Sequence, residues 1–275
     1  MDIKTFRKFI IPWLKRIGAV AAILYALIVY LSYTHQERLI FFPSKMPMNH
    51  TYDFCPDFEE FFITAADGAK LNAVHIKQDS AKGVVLYFHG NSGNISHLGH
   101  VANLFHRKGY EAFLIDYRTY GKSTGTMSEE ALKSDAQLFY DHALKSYNED
   151  KIVLYGRSFG TGIASGLTAS NTPRKLILES PFYSAVSLGA HRFPFLPVTW
   201  LSEYIFPSNE YLQNVSCPVY IFHGTADPVI PYKFAKKLYE GIPGTEKKMY
   251  TIKGGGHNYL QDTDLFKKGM EEALQ

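Results

Sequence analysis

The chain has 275 residues, 46% hydrophobic and 15% aromatic, with 29 basic and 26 acidic side chains and a formal net charge of +3. Such a length and apolar content suit one globular catalytic domain with an appendage. The positive charge is local: residues 1–35 hold Lys4, Arg7, Lys8, Lys15 and Arg16 against Asp2, leaving 24 basic and 25 acidic side chains elsewhere, which gives no reason to expect nucleic-acid binding.

Residues 1–16 read as a basic cytoplasmic N-terminus and residues 17–34 as a transmembrane anchor. Ile17 to Tyr33 carries no charge, and at about 1.5 Å per residue it reaches roughly 26 Å, the short end of a bilayer span. Snorkelling of Lys15 and Arg16 and interfacial placement of Trp13, Tyr30 and Tyr33 extend it. The alternatives are a buried core helix and a cleaved signal peptide; the latter has a shorter apolar stretch and a small-x-small site, which Tyr33-Thr34-His35-Gln36 does not offer. The upstream basic residues predict a single-pass protein whose catalytic domain is extracytoplasmic, periplasmic or lumenal. Residues 35–57 read as a linker, and 58–275 as the catalytic domain.

That domain opens with an alternating stretch, Phe58 to Lys77, interrupted by Ala66-Asp67-Gly68, the signature of an antiparallel hairpin. Strand-like and helix-like runs then alternate: Val84–Phe88, Ile95–Arg107, Glu111–Ile115, Ser128–Lys145, Ile152–Tyr155, Thr161–Ala169 and Lys175–Leu178. The alternation predicts an α/β fold, a mostly parallel sheet with helices on both faces. A short cap insertion is expected at about 181–214, rich in aromatic residues, of which Phe182, Tyr183 and Trp200 are candidate substrate-binding residues for an apolar group. The strands Pro218–Phe222 and Lys248–Ile252 complete the pattern.

Chemistry enters at Gly156-Arg157-Ser158-Phe159-Gly160, set between a buried strand and a run of small residues. A serine on such a turn sits at strained backbone angles, and the two glycines avoid collisions of a Cβ with the neighbouring strand and helix. A hydroxyl needs a base and a group that orients the base. In the order Ser, acid, His, the two later strands run into loops carrying Asp227 and His257, so Ser158, Asp227 and His257 form the candidate triad, with Glu179 as the alternative acid. Upstream, a buried strand runs into His89-Gly90-Asn91; the backbone amides of Asn91 and Phe159 are the candidate oxyanion donors.

These segments, together with Asp116-Tyr117-Arg118-Thr119-Tyr120-Gly121-Lys122-Ser123, His223-Gly224-Thr225-Ala226-Asp227 and Gly256-His257, resemble the α/β-hydrolase superfamily. Specifically, the chain is similar to membrane-anchored α/β-hydrolase-domain proteins and their serine-aminopeptidase-like and monoacylglycerol-lipase-like relatives. The resemblance extends over about residues 59–275. Thr119 departs from it, since relatives commonly carry Gly there. The resemblance implies a membrane-anchored serine hydrolase that cleaves carboxylic ester or thioester bonds of lipid-like or acylated substrates without a cofactor. A serine peptidase of the aminopeptidase type, for which Glu203 and Glu210 are nearby carboxylates, and a catalytically silent binding module are the alternatives. No spacing of Cys, His and carboxylates suggests a metal site. Cys55 and Cys217 read as unlinked thiols, a disulfide between them being the alternative.

Overall fold

The computed structural model describes residues 3–54 and 57–275. The chain starts with a long helix, α1 (Ile3–Thr34), followed at once by a short one, α2 (Gln36–Ile40). Within α1 the span Ile10–Thr34 has a mean hydropathy of 1.9 and none of it is buried in the body. Its length and composition make it a candidate membrane span.

The body is an eight-stranded sheet. In chain order its strands are β1 (Phe58–Thr64), β2 (Lys70–Ile76), β3 (Val84–Phe88), β4 (Glu111–Ile115), β5 (Ile152–Arg157), β6 (Lys175–Glu179), β7 (Val219–Gly224) and β8 (Lys247–Ile252). They lie side by side as β8-β7-β6-β5-β3-β4-β2-β1. Only β1 with β2 and β2 with β4 pair antiparallel; the other pairings are parallel. All of β3 is buried, as expected for a strand covered on both faces. The hairpin turns where Ala66-Asp67-Gly68 predicts, with Gly68 at a φ of 84°.

The connecting helices are α3 (Gly99–Arg107), α4 (Glu129–Ala143), α5 (Gly160–Thr168), α6 (Ala185–Arg192), α7 (Val198–Leu201), α8 (Ser208–Tyr211), α9 (Tyr232–Gly241) and α10 (Asp264–Ala273). Helices α4, α5 and α9 pack their apolar stripes into one core, which includes Leu132, Ile163 and Leu238. Helices α3 and α10 cover the opposite face through Phe105, Phe266 and Met270. Ser128 starts α4 by accepting the amide of Ala131. From β3 the chain passes to β4 on one side and later to β5 on the other, so the crevice at the carboxyl ends of β3 and β5 is the topological switch point.

Residues 35–54 are not the spacer that their position between anchor and domain suggests. Phe41, Tyr52 and Phe54 are buried, and Phe42-Pro43 pairs in parallel with Ser92-Gly93. The segment is irregular yet packed because its aromatic side chains gain more from the body than a free linker would. Arg118 provides a second clamp: its guanidinium forks onto Asp135 at 2.7 and 2.9 Å and also reaches Asp67 on the β1–β2 turn. Cys217 is buried at the foot of β7, while Cys55 lies outside the described residues.

Candidate active site

Ser158 follows β5 at a φ of 52°, a left-handed conformation that a side chain adopts only under constraint. The constraint is visible in its neighbours. A Cβ on Gly156 would lie 2.4 Å from the carbonyl oxygen of Gly160, and one on Gly160 would lie 2.0 Å from that of Phe88. The two glycines let α5 start hard against β5 and β3, and the turn projects the serine side chain into the switch-point crevice.

There the loops after β7 and β8 meet it. Ser158 Oγ lies 2.9 Å from His257 Nε2, and His257 Nδ1 lies 2.7 Å from Asp227 Oδ2. The other oxygen of Asp227 accepts the amides of Val229 and Ile230, each at 2.8 Å. Burial pushes the Asp227 carboxyl upward, but the hydrogen bonds from His257, Ile230 and Val229 outweigh it and hold the group below the ordinary aspartate range. An ionised Asp227 fixes the proton of His257 on Nδ1 and leaves Nε2 free to accept the serine proton. Behind it, His223 is completely buried and donates to the carbonyl of Gly224, with desolvation pushing its pKa down.

Glu179, the alternative acid, is engaged elsewhere: it accepts from Tyr155 Oη at 2.6 Å and Arg157 Nε at 3.2 Å. Arg157 is a residue that sequence reasoning passed over. Its guanidinium also donates to Asn258 Oδ1 at 2.6 Å, so the elbow, β6 and the histidine loop share one cation. A charged residue inside an otherwise small, strained pentapeptide was the available signal.

Asn91 and Phe159 flank the serine along the same cavity. The ring of Phe159 is held edge-on by Phe41 at 5.0 Å and Phe206 at 5.2 Å. The cavity, about 540 Å³, runs from Ser158 between α2, the cap and the end of α1, and its lining includes Ile40, Phe182, Leu188, Leu196 and Leu201. Among the described residues no carboxylate lines it. Of the three aromatic residues read as substrate-binding, Phe182 alone faces this cavity. Tyr183 carries the ammonium of Lys237 over its ring at 4.1 Å, and Trp200 points outward, 89% exposed. Alternating aromatic residues in a cap do not by themselves reveal which side turns inward. Among the described residues no group of three or more His, Cys, Asp or Glu side chains is placed to hold a metal ion.

A strained serine between parallel strands, with histidine and aspartate delivered by the last two loops, defines a serine hydrolase of the α/β-hydrolase class. The chain matches the family described as serine aminopeptidase, S33, over residues 79–211 and 208–264. It is 32% identical over 241 residues to the uncharacterized membrane protein YNL320W of Saccharomyces cerevisiae, covering 82% of this chain and 84% of that protein. It is 28% identical over 237 residues to the lysophosphatidylserine lipase ABHD12 of Danio rerio, covering 72% of this chain and 60% of that protein. Among solved structures, the Pyrococcus furiosus esterase Pf2001 superimposes with a TM-score of 0.64 at 20% identity, over 84% of this chain and 98% of that one, a likeness of fold. The chain belongs to the serine aminopeptidase-like (S33) family of α/β-hydrolases.

Proposed function

We propose that the protein is a membrane-anchored serine esterase acting on lipid-like carboxylic esters, with Ser158 as nucleophile, His257 as base and Asp227 as the acid that orients it. The observation that carries this reading is the continuous relay, 2.9 Å from Ser158 to His257 and 2.7 Å from His257 to Asp227, at the floor of an apolar cavity.

In the proposed cycle Ser158 Oγ attacks the carbonyl carbon while its proton passes to His257 Nε2. The carbonyl oxygen becomes an oxyanion facing the amides of Asn91 and Phe159. Collapse breaks the bond to the alcohol, which leaves with the proton from His257, and the acyl group stays on Ser158. Water, deprotonated by His257, then releases the acid and restores the serine. The same steps serve a thioester.

The aminopeptidase reading needs a carboxylate to receive a peptide's amino terminus. Glu203 accepts from Tyr33 and lies outside the cavity lining, which favours esters over peptides. The relatives described as lipases and esterases point the same way. The apolar α1 with its upstream basic residues supports a single span with the N-terminus cytoplasmic, and protection of the domain from protease added to the cytoplasmic side is the matching expectation.

The deciding experiment is hydrolysis of p-nitrophenyl esters from acetate to palmitate by the full chain, with Ser158→Ala alongside. Turnover that peaks at one acyl length and vanishes in the variant, together with loss of fluorophosphonate labelling, is expected. Unchanged labelling in Ser158→Ala would refute the nucleophile.

A further inference from the structure

The anchor and the cap touch at an unexpected level. Tyr25 Oη donates to the carbonyl of Phe195 at 2.8 Å. Tyr25 precedes the end of α1 at Thr34 by nine residues, which is about 13 Å along the helix axis. If α1 crosses a bilayer, a backbone carbonyl held by Tyr25 lies below the level at which the helix leaves the hydrocarbon, and both polar groups are satisfied there by each other. Nearer the surface, Tyr33 Oη bonds Glu203 at 3.0 Å, so the cap follows α1 downward from Tyr33 to Tyr25.

The side chains of the cap tip agree with that placement. From Phe193 to Ser202 the sequence has no charged residue. Phe193, Phe195 and Trp200 are 41%, 86% and 89% exposed, although large apolar side chains gain by leaving water. Pro194 and Pro197 stiffen the loop that presents them. The catalytic cavity opens beside this tip: its lining joins Ser32 of α1 and Leu39 of α2 to Leu196 and Leu201 of the cap.

We propose that the cap tip, residues 193–200, is immersed in the leaflet next to the catalytic domain, and that the cavity takes its substrate sideways from that leaflet between α1 and the cap. The immersion stands on the anchor contact and the exposed aromatic side chains alone; the lateral route rests on the esterase reading. An apolar tail entering this way meets Leu39, Leu196, Leu201 and Phe182 on its path to Ser158.

The test uses the full chain in phosphatidylcholine vesicles. The sequence has two tryptophans, Trp13 and Trp200, so Trp13→Phe leaves Trp200 as the sole reporter. Quenching of its fluorescence by lipids brominated on the acyl chain, with protection from aqueous acrylamide, is expected. Ready quenching by acrylamide without quenching by brominated lipid overturns the immersion, and so does shielding from both, which would mean that protein covers the tip. This readout is independent of turnover, so it stands even if the protein hydrolyses no ester. The route is tested with Phe195→Asp and Phe195→Leu, on a long-chain ester residing in the vesicles and on soluble p-nitrophenyl butyrate. Phe195→Asp is expected to lower the ratio of vesicle to soluble rates by roughly tenfold or more, and Phe195→Leu to preserve it. An unchanged ratio in Phe195→Asp overturns lateral entry.

Discussion

The side-chain amide of Asn91 donates to the carbonyl of Ile40 at 2.6 Å, while the amide of Phe42 donates back to the carbonyl of Asn91 at 2.8 Å. The turn proposed to stabilise the oxyanion is thus clamped by the segment that leaves α1. Asn91→Ala retains the backbone N–H but releases one half of the clamp. The kcat for p-nitrophenyl butyrate is expected to fall about tenfold, less than the 10²–10³ of a donor lost outright, with KM changing little. Wild-type kcat in this variant would show that the clamp does not position the amide.

The two carboxylates near the histidine loop make different predictions. Asp227→Asn removes the acceptor that fixes the His257 tautomer and is expected to lower kcat by roughly 10³–10⁴. Glu179→Gln loosens Arg157 and Tyr155 but leaves the relay intact, so its kcat should stay within about tenfold of wild type, by comparison with that loss. Stopped-flow turnover of both variants separates the assignments, and the reverse ranking would transfer the acid role to Glu179.

Thr119, where the family resemblance implies glycine, sits at a φ of 68°. A β-branched side chain is disfavoured there, whereas glycine accepts the conformation. Thr119→Gly is expected to raise stability by about 0.5–1 kcal/mol, or roughly 1–4 °C in Tm. Differential scanning calorimetry in detergent reads the shift, and a lower Tm would mean that the threonine side chain contributes more than its backbone costs.

The buried His223 predicts a pH dependence of stability. Its folded-state pKa is lowered, chiefly by desolvation. The unfolded chain therefore takes up a proton first as pH falls below about 6.5, and stability is lost from that point down toward the folded pKa. Asp227, also lowered, adds a loss that begins only near the ordinary carboxylate range, about pH 4. Between pH 7 and 5 the wild type should lose Tm more steeply than His223→Gln. Parallel slopes would mean that His223 does not carry the effect.

Much of the fold is legible because its signals are local. The buried run Val84–Phe88, the small residues around Ser158 and the glycines before His257 each state their own geometry. The hairpin is equally plain, since Gly68 is placed where a tight turn requires positive φ. What escapes is decided by partners distant in sequence. Nothing within residues 35–54 announces that Phe41 packs against Phe159 or that Ile40 meets Asn91, because the segment has no period and these two partners lie more than 50 residues away. Arg157 escapes for the same reason: its worth depends on Glu179 and Asn258, which only the closed sheet brings together. Trp200 shows the opposite failure, an aromatic residue that composition places in a pocket and the fold turns outward.

The wall that α1 and α2 contribute to the cavity, through Ser32, Gln36 and Leu39, ties catalysis to geometry in a plane. On the proposed reading, an esterase whose pocket is partly built from its own membrane helix would meet substrate by two-dimensional diffusion, so its rate would follow the mole fraction of ester in the surface and fall on dilution with inert lipid at constant bulk concentration. Proteolytic shedding of the domain would open that wall as well as relocate the protein, and the released form would be a different catalyst with a different range of esters.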